Sequence, residues 1–438
     1  MHVMRRIPLA MALSALGCGG ALAADPTTLD WSAAPKTELT LFYPGQASQE
    51  WIFGENHKSG AKALRKGEGC LECHDGEEED LGETIVTGKK LEPGPIAGKP
   101  GSKKVSIQAA YDKEYFYLKA SWPAKTAGAF HEYLVYRGGK WDRYATYINH
   151  PSVKSGKAKV SYEDRFNVML GDGKAVPDFN NQGCWVTCHN DLRHMPNEPT
   201  AAALDAHPVL GKAGMKKDES LKYLRETRTE IGPTGGWDKL KSKAELDALW
   251  EQGVKLDLWQ WRAARSGPVD AASDDHVFQS RNADVGKTPF FKNWDGAKKQ
   301  PKVMYDPAKN GGAAALAESQ FRDLKAPRLK EDNSIAYDPN RAWKEGDLLP
   351  RYANRKPAGS EADVMAKSDY ANGMWTVYFR RKLATANKDD VALVPGQTFP
   401  ISFSLHDDNV TTRYHYVSFP LKLTLGGKEG QIKAVELK

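Results

Sequence analysis

The chain has 438 residues, 40% of them apolar and 10% aromatic, with 62 basic against 56 acidic side chains and a formal charge of +6. That is ample for a large core, in two or three domains or in one large sandwich with an appendage. The small charge excess and the lack of a basic-aromatic stripe argue against nucleic acid, and beyond the N-terminus no stretch reaches the roughly 18 apolar residues of a membrane span.

Residues 1–23 read as a secretory signal: Arg5 and Arg6 are its positive region, Ile7 to Leu16 its apolar stretch, and Ala21-Leu22-Ala23 its small-residue cleavage site. Cleavage near Ala23 would deliver a periplasmic chain. The signal holds two of the positive charges and no acid, so the mature excess is +4 (6 − 2). Cys18 leaves with it; Ala15-Leu16-Gly17-Cys18 is a poor relative of a lipoprotein site and keeps a lipid anchor as the alternative.

Residues 24–103 form an N-terminal segment of polar loop and helix. Ser59 to Lys66 is its helix and Gly67 the stop. Cys70-Leu71-Glu72-Cys73-His74 follows at once. This is the spacing of covalent c-type haem attachment: two thiols add to vinyl groups and the adjacent imidazole coordinates the iron. Glu77-Glu78-Glu79-Asp80 comes next, a solvated loop or a patch that steers a basic redox partner. Glu92-Pro-Gly-Pro95 and Lys99-Pro-Gly-Ser102 punctuate a linker.

From Val105 the apolar period becomes two. Val105, Ile107 and Ala109, a turn at Tyr111 to Glu114, then Phe116, Leu118, Ala120 and Trp122 make a hairpin of a half-buried antiparallel sheet. A strand over Phe166 to Leu170 follows Glu163-Asp164-Arg165, a triplet suited to structural ion pairs. Then comes Cys184-Trp185-Val186-Thr187-Cys188-His189, the same attachment device with one extra residue between the thiols. Further on, Ser242 with Glu245 makes a capping box, Leu246, Leu249 and Trp250 a stripe, and Gly253 a stop. Residues 265 to 355 have little periodicity and are expected as long ordered loops. Strands return at Met374 to Leu383, Phe399 to Leu405 and Tyr414 to Leu425. No internal repeat is visible. Residues 104–430 thus read as a mainly β, antiparallel sandwich with long loops and a few helices.

Competing uses of the cysteines fare worse. Close cysteine pairs also build zinc sites, but zinc needs no histidine after each pair. Disulfides within a pair would close only tiny loops, and a thioredoxin-type pair wants a βαβ context. The expectation is two covalently attached haem c groups on Cys70, Cys73, Cys184 and Cys188, with His74 and His189 as proximal iron ligands. Four propionates would roughly cancel the +4 charge.

For the sixth ligands, His57 precedes Cys70 by a helix-length segment and is the candidate at the first haem. At the second, His415 is preferred, with His406 beside it and Met169 behind. His194 and Met195 follow His189 too closely to reach the opposite face. Arg193, Arg262 and Arg265 are candidates to pair with propionates.

Several stretches resemble the haem-binding domain related to the γ subunit of ethylbenzene dehydrogenase: Tyr162-Glu-Asp-Arg-Phe166, Gly183 to His189, Asp257-Leu-Trp-Gln-Trp261 with Ala263-Ala-Arg-Ser266, and Tyr414 to Pro420. The likeness covers roughly residues 100 to 430. Phe42 to Ala47 and His57 to Ala61 resemble the extra N-terminal haem segment of its periplasmic c-type branch. The resemblance implies a β-sandwich holding haem at one end and electron transfer beside molybdenum enzymes or other respiratory oxidoreductases. Those γ subunits hold haem b through Met and Lys without thioethers, so their ligand pair does not carry over to this chain.

The expected function is an electron carrier serving periplasmic redox proteins, a molybdenum oxidoreductase or quinol-linked cytochrome among the candidates. A haem enzyme with one open iron acting on a small oxidant or oxyanion, and a haem-based sensor or ligand-binding module, are the alternatives.

Overall fold

A computed structural model describes residues 24–211, 221–230, 236–407 and 414–437. The expected signal over 1–23, with Cys18, lies outside the described residues. Thirteen strands form the principal sheet. In chain order they are β1 (Thr37–Phe42), β2 (Ser102–Tyr111), β3 (Tyr115–Pro123), β4 (Arg165–Leu170), β5 (Leu256–Arg262), β6 (Ser273–Val277), β7 (Arg281–Ala283), β8 (Met365–Ala371), β9 (Met374–Lys382), β10 (Thr398–His406), β11 (Tyr416–Val417), β12 (Leu421–Leu425) and β13 (Ile432–Glu436).

Their spatial order is β7-β6-β5-β4-β10-β11-β1-β2-β3-β9-β8, and β12 and β13 form a second bridge from β10 to β2. The sheet folds on itself, so that β4, β5 and β10 face β2, β3 and β9. Aromatic rings close the gap: Trp122 of β3 lies 5.6 Å from Phe166 of β4 and 5.9 Å from Trp261 of β5, and Phe116 lies 6.1 Å from Trp259. The result is the mainly β, sandwich-like architecture that the period-2 segments imply.

The β2–β3 hairpin forms as its alternation demands. Tyr111 pairs with Phe116, and Asp112 Oδ1 accepts from the backbone N–H groups of Glu114 and Tyr115 at 2.8 and 2.7 Å. Three helices in order are α1 (Lys58–Arg65), α2 (Leu71–His74) and α3 (Glu78–Val86); α4 (Lys243–Glu251) carries the capping box of Ser242 and Glu245.

Three differences from the sequence reading stand out. Residues 265 to 355 are not loop throughout: β6 and β7 join the principal sheet, and short pairs such as Phe290–Lys292 with Tyr352–Asn354 brace the rest. Strands of two to five residues are too short to show a period, and β6 reads Ser-Asp-Asp-His-Val, polar on both faces. The N-terminal segment contributes β1, which pairs along β2 and touches β11 through Phe42 and Val417. The expected strand Tyr414 to Leu425 is two strands separated by Ser418 to Pro420, and β13 had no counterpart in the sequence reading.

Candidate functional site

Sequence places Cys70 directly before α2, and that short helix carries Cys73 and His74 on one turn. Cys73 is exposed, while Cys70 and His74 are half-buried. The backbone N–H of Cys70 donates to the Asn181 carbonyl at 3.1 Å, which ties the first string to the loop before the second. His57 stands ahead of α1. Its Nδ1 donates to the Ile52 carbonyl at 2.9 Å, and His74 Nδ1 donates to Glu77 Oε2 at 2.8 Å. Both partners can only accept, so each neutral ring keeps its proton on Nδ1 and leaves Nε2 as a lone-pair donor, the arrangement of metal-binding histidines.

The His57 and His74 ring centroids are 6.1 Å apart with planes inclined by 19°. With metal–nitrogen bonds of about 2 Å and a centroid about 1 Å behind each nitrogen, two imidazoles on opposite faces of one metal stand roughly 6 Å apart. The centroid separation of the pair matches that distance. Gly60 makes room for it, because a Cβ there would lie 2.1 Å from His57 Cε1.

The second string forms a 3-10 turn over Gly183–Thr187. Gly183 has φ +57, and a Cβ on it would meet Ser402 Oγ at 2.6 Å, so this turn can sit directly on β10. Cys184 and Cys188 thereby reach the wall of a cavity of about 780 Å³, a size typical of cofactor sites. Burial pushes the Cys184 thiol up to about 12, and Cys70 likewise. All four thiols are free, and among the described residues no group of three or more candidate metal-ligand atoms contains a cysteine.

The cavity floor is the sheet itself, and register orders its chemistry in rows. Alternate residues of β4, β5 and β10 point into the cavity and the intervening ones into the core. Leu258, Met169 and Ser402 make the first row, Gln260, Asn167 and Ser404 the second, and Arg262, Arg165 and His406 the third. From Met169 to Arg165 is roughly 14 Å of extended chain. The floor thus runs from apolar, where Cys184 and Trp185 sit, through amide and hydroxyl, to cationic.

At the cationic end Glu163 is buried. Burial alone would raise its carboxyl, but the guanidinium groups of Arg265, Arg165 and Arg262 outweigh that and hold it below its usual range. Arg265 Nε donates to Glu163 Oε1 at 2.5 Å. Burial lowers Arg262 to about 9, with Arg265 and Arg165 adding to the effect, and its Nε has no hydrogen-bond partner. Nine described lining residues are arginine or lysine against one acid, Glu132, so the cavity is built for an anionic group. A haem is apolar at its vinyl edge and doubly anionic at its propionate edge. Thiols at the apolar end, the cationic row and the unpartnered Arg262 Nε fit that polarity.

The sequence-derived candidates distribute unevenly. Arg193, Arg262, Arg265, Met169, His406 and His415 all line the cavity. His406 and His415 lie side by side, ring centroids 4.8 Å apart. Burial first, then His415, Arg165 and other neighbouring cations, hold His406 well below its usual range, so its imidazole is neutral. Met195 also lines the cavity, where the chain reverses within Leu192 to Met195: His194 has φ +64, and the Met195 N–H donates to the Leu192 carbonyl at 2.9 Å. His194 itself is not a lining residue and packs on Tyr414.

His189 is fully buried and is absent from the described cavity wall. Its ring stacks on Tyr223 at 4.0 Å, with Nδ1 3.4 Å from Glu50 Oε1 and Nε2 3.2 Å from the Tyr223 carbonyl. Residues missed from the sequence include His131, buried among Tyr162, Tyr352 and the arginines. Burial, then Arg265, Arg165, Arg262 and Arg351, hold its pKa well below the usual range. Nothing local to His131 in the sequence signals its place on the cavity wall.

The two strings share one packed cluster that contains Cys184, Trp185, Phe42, Met169 and Phe419, with Cys70, Leu71 and Cys188 at its border. Phe419 lies 5.8 Å from His74 and 5.8 Å from Trp185, and so links the two strings through aromatic contact. Among the described residues no helix is long and apolar enough to cross a membrane.

The family model described as ethylbenzene dehydrogenase matches residues 28–418. The chain is 29% identical over 427 residues to cytochrome c-552 of Stutzerimonas stutzeri, covering 97% of this chain and 96% of that protein. It is 30% identical over 171 residues to cytochrome c-551 of Rhodocyclus tenuis, covering 38% of this chain and 58% of that one. On the extent of the family match, the chain belongs to the ethylbenzene dehydrogenase family.

Proposed function

We propose that the chain is a periplasmic electron carrier with two covalently attached haem c groups, one on Cys70 and Cys73, the other on Cys184 and Cys188. The carrying observation is convergence: two attachment strings more than 100 residues apart in sequence meet on one aromatic cluster, with Phe419 in contact with both. The cytochrome names of both relatives support the same reading. When bound, haem supplies one-electron chemistry at iron, with a potential set by axial ligands, hydrogen bonds to them and burial.

In this reading His74 and His57 ligate at the first site, oriented by Glu77 and the Ile52 carbonyl. Arg193, Arg262 and Arg265 meet the carboxylates at the second. His189 would hold the iron of the second string, and in this structure its ring contacts Glu50 and Tyr223. His415 and His406 are the candidates for the opposite position. The acidic run Glu77 to Asp80 borders the first string and suits a basic face on a periplasmic partner, a molybdenum oxidoreductase or quinol-linked cytochrome among the candidates.

The deciding experiment is pyridine haemochrome stoichiometry on protein matured in a cytochrome c-competent periplasm, followed by reduced spectra with and without carbon monoxide. Two covalent haems and no carbon monoxide response support the carrier. One responsive haem favours a second reading, an enzyme with an open iron acting on a small oxyanion. The cations of the cavity wall beyond the three arginines assigned to haem carboxylates speak for that reading. No covalent haem overturns both.

A further inference from the structure

On the core face of β5 and β6, away from the cavity, three carboxylates converge: Asp257 of β5, Asp274 of β6, and Asp390 of the loop after β9. They are 1%, 0% and 8% exposed, and one carboxylate oxygen from each lies within 4.8 Å of the others. Register makes Asp257 and Asp274 diagonal neighbours, since Asp257 opposes His276 and Trp259 opposes Asp274.

One cation enters the group from the facing layer. Arg381 of β9 donates through Nη1 to Asp257 Oδ2 and to Asp390 Oδ1, the latter at 3.2 Å. Thr385 Oγ1 donates to Asp390 Oδ2, and the Val391 N–H donates to Asp257 Oδ2 at 3.1 Å. Asp274 receives nothing: both of its carboxylate oxygens are buried without a hydrogen-bond partner. Ionised together, three carboxylates against one guanidinium would leave two uncompensated negative charges in the interior, where an unpaired ion is costly.

We infer that Asp257, Asp274 and Asp390 bind a buried calcium ion that joins β5 and β6 to the loop closing this edge of the sandwich. The donor set is all oxygen and anionic, which selects a hard cation over zinc. Magnesium keeps several waters, and this site is closed to solvent, whereas calcium takes six to eight oxygens flexibly and accepts a bidentate carboxylate such as Asp274. A divalent charge cancels the surplus. In the neighbouring trio His276, Asp284 and Asp389, each residue has a hydrogen-bond partner, with His276 Nδ1 on Asp284 at 2.5 Å and Ser360 Oγ on Asp389 at 2.8 Å, and of the Asp284 oxygens Oδ2 is left without one; Asp274 has none at either oxygen, so the inner trio carries the inference.

The test uses the full-length protein with its native cofactors. Elemental analysis after exhaustive dialysis should find one calcium per chain. EDTA should lower the melting temperature by several degrees, and calcium, not magnesium, should restore it. Asp274→Asn should lose that calcium dependence while the visible spectrum stays unchanged. The inference is overturned if the wild-type chain retains no calcium and melts identically in EDTA and calcium. It is also overturned if Asp274→Asn in calcium is as stable as the wild type or more so, since that is how a merely buried acid behaves. Should the variant not accumulate, the calcium dependence of the wild type decides alone.

Discussion

The two thiol strings set closely similar attachment motifs on opposite kinds of support. The first sits on short helices near the surface, with Cys73 exposed and two imidazoles facing one another at 6.1 Å. The second is pressed by Gly183 onto a β-sheet, its thiols at a graded cavity and its histidine turned behind the wall. Spacing along the chain decides where a group can be attached. The support decides which side chains can reach it and how much charge surrounds it.

The comparison breaks most visibly if one string is removed. Cys70→Ala with Cys73→Ala should halve the covalent haem measured by pyridine haemochrome, leaving the second spectrum in place. A full complement would delete the N-terminal site. Next in size are the axial histidines. His57→Ala should convert the first haem to a species that binds carbon monoxide, and His189→Ala should abolish low-spin ligation at the second while sparing the first. An unchanged spectrum after His189→Ala would transfer that role to residues already facing the cavity, His406 and His415.

Subtler variants sharpen the contrast. Gly60→Ala places a methyl group against the His57 ring and should cost about 1–3 kcal/mol as an overpacked contact, read as a lower melting temperature with a fraction of the first haem open to carbon monoxide. At the second site, His131 is buried neutral among arginines, while in the unfolded chain it titrates near its ordinary value of about 6.5. Between those pKa values the unfolded state binds more protons, so stability is present above about pH 6.5 and is lost as pH falls through that window. His131→Gln should flatten this part of the melting profile. Glu163 acts in the same direction lower down, from about pH 4.3 downward, because its carboxyl is held below its usual range in the fold. The smallest effect is electronic. Glu77→Gln removes the carboxylate that raises the basicity of His74 and should raise the first potential by less than about 60 mV, the one-electron equivalent of tenfold.

How much of this was legible varies by element. The β2–β3 hairpin and the α4 capping box could be read because their signals lie within a dozen residues. Strand β6 could not: its side chains are polar on both faces, Asp274 among buried carboxylates and Asp275 beside Arg262, so no hydrophobic alternation marks it. The place of Met195 on the cavity wall was not legible either, since it depends on a chain reversal through His194 at positive φ. His131 carries no motif.

Sequence by itself determined what is local: two thiol-thiol-histidine strings, their spacing, and the alternation that builds a half-buried sheet. Tertiary structure alone decided that both strings share a cluster with Phe419, that three strands set Leu258-Met169-Ser402 and Arg262-Arg165-His406 at opposite ends of one floor, and that His189 faces Tyr223. The physical reason is register. Which side chains stand abreast depends on hydrogen-bonded pairing between strands some 90 to 240 residues apart, such as Met169 with Leu258 and with Ser402, and no local pattern along the chain encodes that pairing.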